Sequence, residues 1–227
     1  MNNSIKRITV VTGHFGSGKT EFAINYALYL KSLGLDVLII DFDIVNPYYR
    51  TKDAEQLLNS KGIEVLAPGF ANSNIETPTL PPDILKAFED KSKHIIFDVG
   101  GDEDGATPLG VYNSYFSKED YDMFFVLNER RMLTETVEGA LEIFDNIKYV
   151  SRLNFTGIVN NTHLMEYTDT DVLLKGVSLA QKFSDKVKLP IVYNCVSRKL
   201  IDEIDDEEIK KIKNIFTVDL FVGPQFK

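Results

Sequence analysis

Cysteine is almost absent: Cys195 is the one thiol in 227 residues. A single cysteine excludes an internal disulfide and a paired-cysteine metal or redox centre, and it suits a reducing compartment. Positive charge is also short, with 25 Lys and Arg against 34 Asp and Glu and a net charge of −9. A broad nucleic-acid footprint needs a basic stripe, so no nucleic acid is expected as a partner. There is no apolar run of 18 residues, and "MNNSIKR" leads at once into a short apolar stretch. Neither a membrane span nor a signal peptide is therefore expected, and the expected location is cytoplasmic. The terminal "VDLFVGPQFK" is too short and too weakly charged for a membrane anchor. Repeats, low-complexity stretches and linkers are lacking too, so residues 1–227 read as one domain.

What is present is a rhythm. Apolar, β-branched runs fall at 7–12, 36–43, 62–67, 94–100, 121–128, 155–161 and 188–194. Several are apolar at consecutive positions, which is the pattern of strands covered on both faces. Helical patterns separate them at 19–33, 51–60, 82–91, 108–117, 133–150, 170–185 and 204–215. Strands alternating with helices predict an α/β fold with a mostly parallel sheet of about seven strands. Gly34 is expected to end the first helix, and Thr134 to begin the cap of the 133–150 helix with Leu133 and Val137 in the core.

The stretch "VVTGHFGSGKTEFA" places Gly13, Gly18, Lys19 and Thr20 in the pattern GxxxxGK[ST], between a strand and a helix. That context is what a phosphate-binding loop requires. Backbone N–H groups over Gly13, His14, Phe15, Gly16, Ser17 and Gly18 would cradle phosphate at the positive end of the helix carrying Glu21. The Lys19 ammonium would meet the β- and γ-phosphates, and the Thr20 hydroxyl would ligate Mg2+. Two further strand ends carry acid. "LIIDFD" delivers Asp41 and Asp43 on one face, and "HIIFDVGG" delivers Asp98 followed by Gly100 and Gly101. An aspartate at the end of a buried strand beside a phosphate loop holds magnesium, and paired glycines let the backbone approach a γ-phosphate closely.

"TGHFGSGKTEFA", "DFDIVNP", "IIFDVGG" and "GIVNN", in this order, resemble the MinD/ParA/CobQ/CobB group of P-loop ATPases. The resemblance implies the P-loop NTPase fold, hydrolysis of ATP with Mg2+, and a homodimer in the ATP state. It implies that Asp43 positions attacking water, that Asp41 stands on the magnesium side and that Asp98 is the Walker B aspartate. It also implies that Asn160 or Asn161 reads the adenine edge, with the choice between them open. Many members carry an early loop lysine that reaches across the dimer; His14 stands there instead. An imidazole lacks fixed charge but gains it beside phosphate, so His14 reads either as a substitute cation or as a plain loop residue.

Two functions follow. The first is a cytoplasmic ATPase acting as a nucleotide-dependent switch on an unidentified client protein. The alternative is a CobB- or dethiobiotin-synthetase-like enzyme that uses ATP to activate a small carboxylic acid. Several lesser signals stay open. "NPYYR" (46–50) is either core packing or a partner surface, and the irregular stretch 67–83 is either a lid or a plain connection. Arg130, Arg131 and His163 read as loop residues, and Cys195 as a small buried side chain.

Overall fold

The computed structural model describes residues 5–43, 51–67, 82–203, 207 and 209–221. "NPYYR" and most of the irregular stretch 67–83 lie outside the described residues.

Eight strands form one sheet: β1 Ile8–Thr12, β2 Val37–Phe42, β3 Glu64–Leu66, β4 His94–Val99, β5 Tyr121–Leu127, β6 Gly157–Asn160, β7 Ile191–Ser197 and β8 Ile215–Val218. Their order is β3-β2-β4-β1-β5-β6-β7-β8, and every pairing is parallel. The connecting helices are α1 Lys19–Ser32, α2 Glu55–Ser60, α3 Pro82–Glu89, α4 Asp102–Ala106, α5 Asn113–Phe116, α6 Val137–Ser151, α7 Thr170–Val187 and α8 Arg198–Glu203. The expected α/β class and all seven expected strands are present.

Successive residues along the strands enter opposite cores, as pleating demands. Val10, Leu38, Ile40, Ile95 and Phe97 join α3, α6 and α7 on one face. Val11, Val37, Ile39 and Ile96 join α1 and α2 on the other. Aromatic side chains fill both cores. Phe144 of α6 stacks on Phe155 with centroids 4.3 Å apart, and Phe22 of α1 meets Phe124 and Phe216 edge-on. Burying such rings contributes area and ring-edge contacts together.

Three expectations change. Of the helix expected at 204–215, the described residues hold a 3-10 turn at Ile209–Lys211 and the start of β8, while α8 ends before it at Glu203. Asn214 adopts a left-handed φ of 54° that breaks the helical path, and its side-chain amide donates to Ile191 O at 2.9 Å. Phe216 and Val218 then bury beside α1, so alternation outweighs the charged helical pattern before them. Second, the N-cap of α6 is Thr136, whose hydroxyl accepts from Gly139 N. Thr134 is instead buried and donates to Asn128 O at 2.7 Å, closing the loop after β5, while Leu133 stays half exposed. Third, the 108–117 helix divides into a 3-10 turn at Thr107–Tyr112 and α5, since Pro108 and Gly110 weaken a continuous helix. Gly34 does end α1, with its N–H on Lys31 O at 2.9 Å.

The segment after β8 is stitched to α1. Buried Asn25 donates to Asp219 O and accepts from Asp219 N, both at 2.9 Å, and the Phe221 N–H meets the Glu21 carboxylate. Asn25→Ala should therefore lower stability by about 1–3 kcal/mol, because it leaves buried backbone groups without partners. Urea unfolding should show a lower midpoint at unchanged slope; an unchanged midpoint would mean the segment does not hold α1.

Candidate functional site

The loop between β1 and α1 lies at the carboxyl edge of the sheet, where the chain leaves β1 toward β2 on one side while β4 crosses to β5 on the other. Open α/β sheets bind ligands at such reversals. Gly16 and Gly18 take left-handed φ values of 72° and 84°, which side chains rarely adopt. The loop is braced from neighbouring strand ends. Arg131 Nε donates to Gly16 O at 2.6 Å, and Asn161 Nδ2 donates to Ser17 O at 2.9 Å and Gly18 O at 3.3 Å. Inside it, Ser17 N bonds His14 O at 3.1 Å. The start of α1 at Gly18 has no side-chain cap, so its first-turn N–H groups keep the capacity to meet an anion.

Lys19 is buried, and its ammonium donates to His14 O at 3.1 Å. Burial pulls its pKa below the ordinary value, while Asp98, Asp43 and Asp102 oppose that shift. Asp98 is 2% exposed and faces Asp41 across the β2–β4 register. Burial first, and then the neighbouring Asp41 charge, push Asp98 up to about 7, against hydrogen bonds from the Thr51 and Thr20 hydroxyls. Thr51 Oγ1 lies 2.7 Å from Asp98 Oδ2. Asp43 follows β2, and its backbone N points at Asp41 Oδ1 at 3.4 Å. Gly101 presses on the loop so closely that a Cβ there would lie 2.8 Å from Phe15 N and 3.2 Å from Lys19 Nζ. Next to it, Asp102 Oδ1 meets His14 Nδ1 at 2.6 Å. Phe15 itself is 54% exposed.

The two asparagines separate. Asn160 is fully buried, donates to Asn194 Oδ1 at 2.9 Å and accepts from the Thr162 hydroxyl. Asn161 instead lines a pocket beside the loop with Glu21, His163, Met165, Val196 and Leu220. Cys195 lies at the bottom of that pocket, buried, with its thiol pKa pushed far up by desolvation. Burial and the nearby Arg131 lower His163 to about 4; its Nδ1 accepts from Met165 N, so the neutral ring carries its proton on Nε2.

These residues fit a nucleoside triphosphate with magnesium. Ser17 Oγ is fully buried without a hydrogen-bond partner among the described residues, inside a loop whose glycines let Val126, Arg131 and Asn161 approach its backbone closely. Thr20, Asp41 and Asp98 offer one hydroxyl and two carboxylates, the hard oxygen donors magnesium prefers. Among the described residues no group of three or more His, Cys, Asp or Glu is set to hold a metal by itself, so phosphate and water would have to complete the shell. The sequence does not mark Thr51 or Asp102 as site components, and it leaves Arg131 between a phosphate or partner contact and a loop residue. Their contacts reach 47, 88 and 115 residues along the chain, and no local pattern encodes them.

No protein-family model matches the chain, and no match was found among curated proteins. Solved structures do share its fold. FtsY from Mycoplasma mycoides superposes with a TM-score of 0.56 at 19% identity, over 84% of this chain and 59% of that one. Chloroplast FtsY from Physcomitrella patens gives 0.54 at 18%, over 84% and 58%. The 54 kDa signal recognition particle protein from Aeropyrum pernix, in complex with GDP, gives 0.53 at 18%, over 84% and 41%. The chain thus spans less than two thirds of the length of each of these structures. It has the α/β fold of the P-loop NTPases.

The raised Asp98 pKa sets a pH dependence. A carboxyl whose folded pKa exceeds its unfolded value binds the proton more tightly when folded, so its ionisation costs stability as pH rises from about 4 to about 7. In EDTA-containing buffer, Asp98→Asn should melt above the wild type at pH 8, and the gap should narrow at pH 5. A variant that melts lower at pH 8 would show that Asp98 is held ionised without cost.

Proposed function

We propose that the protein is a magnesium-dependent ATPase of the MinD/ParA-related kind, working as a nucleotide-dependent switch on a client protein. The observation that carries this reading is the convergence of Lys19 with Asp41, Asp43 and Asp98 beside a glycine-rich loop at the open start of α1. Magnesium supplies charge neutralisation between phosphate oxygens when bound. The loop amides from Gly13 to Gly18 hold the phosphates, Lys19 takes the β- and γ-oxygens, and Thr20 with Asp41 and Asp98 faces the metal. Asp43, set against Gly100, orients the attacking water. Gly101 brings backbone to the terminal phosphate. The base enters the pocket between Glu21 and His163, where Asn161 Oδ1 accepts from the N6 amino group; Asn160 serves as framework. An acceptor at that point suits adenine N6 and opposes the guanine O6 acceptor.

Exposed apolar side chains support a docking role. Phe15 stands in the loop, Met132 and Leu133 follow β5, and Leu164 and Tyr167 follow β6, all on the carboxyl edge. Apolar groups gathered around a ligand site favour a protein partner whose fit depends on nucleotide. In this reading the triphosphate form assembles a homodimer or docks the client, and hydrolysis resets it.

Three measurements test the reading. Lys19→Ala should weaken ATP binding in calorimetry by roughly ten- to a hundredfold, the value of one charge-assisted contact; unchanged binding would remove the phosphate-loop assignment. ATP should outcompete GTP in titration of the wild type, and equal affinity would remove Asn161 as reader. Asp43→Ala should keep ATP binding while turnover falls by about 100-fold or more. Sedimentation of that variant should show a larger species with ATP than with ADP. Equal sizes and equal client capture, with ADP formation strongly stimulated by a small carboxylic acid, would replace the switch with an acid-activating enzyme.

A further inference from the structure

His14 stands where the loop meets the turn after β4, and its contacts form a set. Its Nδ1 lies 2.6 Å from Asp102 Oδ1, with side-chain exposures of only 14% and 31%. A carboxylate accepts, so the proton sits on Nδ1 and Nε2 is the ring's second contact point. Asp102 holds a left-handed φ of 61°, which a non-glycine residue keeps only when its surroundings impose it. Its N–H reaches toward Gly13 O at 3.4 Å. Between them, Gly101 abuts the Phe15 backbone and the Lys19 ammonium. The turn is thus clamped on the loop by the His14–Asp102 hydrogen bond, and Asp102 adds to the negative field acting on Lys19.

Resting on the function proposed above, we propose that His14 and Asp102 discriminate triphosphate from diphosphate by exchange of partner. The chemistry is electrostatic competition. Lys19 marks the place of the β- and γ-phosphates, and the Asp102 carboxylate lies close enough to act on it. A terminal phosphate brings further negative charge into that space; it repels Asp102 and attracts the imidazole. A diphosphate stops short and leaves the His14–Asp102 pair in place. Release of Asp102 frees a turn held in an unfavourable backbone conformation. Helix α4, which begins at Asp102, carries the change outward, because Glu103 accepts from the Asn146 amide of α6 at 3.2 Å. The pair sets nucleotide-state specificity; the reacting atoms stay with Lys19 and Asp43.

The test compares Mg-ADP with a Mg-bound non-hydrolysable ATP analogue by calorimetry on the wild type, Asp102→Asn and His14→Ala. Asparagine tolerates left-handed backbone, so Asp102→Asn removes charge while keeping the turn. It should bind the analogue about fivefold or more tightly, the low end of site-to-site coupling, with ADP little changed. His14→Ala should shift the ratio the opposite way, since Asp102 then faces the terminal phosphate unpaired. In the wild type, the His14 imidazole 15N signals should report Asp102-bound Nδ1–H with ADP and move with the analogue. Equal effects of either substitution on both nucleotides, or imidazole signals identical in both complexes, would reduce the pair to a brace and overturn the proposal. If the wild type binds neither nucleotide, the proposed function falls, and this inference with it.

Discussion

The crowding of acidic side chains at one edge of the sheet is the constraint on which the site depends. The parallel pairing of β2 with β4 sets Asp41 opposite Asp98, and the loop after β1 brings a single buried ammonium, Lys19, to several carboxylates. Neither Asp98 nor Lys19 holds its ordinary affinity for protons there, because burial disfavours the charged form of each. Such an arrangement is costly for a core and suited to a site that receives a cation together with a polyanion. The Thr51 and Thr20 hydroxyls lessen the cost without abolishing it. A hydrophobic sheet with two full cores supplies the rigidity that keeps these groups from separating.

The loop is likewise shaped from outside. Arg131 after β5 and Asn161 after β6 bond the loop carbonyls, so its backbone is held by strands that lie far along the sequence. Asn161 therefore braces the loop with its amide nitrogen while lining the pocket beside it. A change at this residue would act on the loop and the pocket together.

Much of this was legible in the sequence. Seven strands, their two-sided burial and the position of the loop follow from β-branched runs and from Gly13, Gly18, Lys19 and Thr20. Local patterns carry such information because strand burial and turn chemistry act over a few residues. What escaped was set by distant contacts or by competition between local signals. β8 is four residues long and follows a charged stretch with helical spacing, so its burial against α1 decided its state. Thr134 reads as the start of the cap, but a buried hydrogen bond to Asn128 claims it and Thr136 caps α6 instead. Asn160 and Asn161 are neighbours in sequence but point to opposite sides of the strand end, which alternation allows and only packing assigns. Asp102 lies in a charged run outside the expected helices, and its partner lies 88 residues away.

The placement of β1 has a consequence for how the chain is made. This strand precedes both of its partners in the chain, yet it occupies an interior position between β4 and β5. Its nearest native partner begins at His94 and the other at Tyr121. Until those segments exist, a strand that is wholly buried in the native fold must wait with two unpaired edges, together with the glycine-rich loop that follows it. Nascent chains in this condition are exposed to mispairing, and parallel pairing at long sequence separation is slow to repair it. The glycine-rich loop is therefore synthesised before the strands that flank its own, and a chain interrupted before β5 carries the loop residues without their framework.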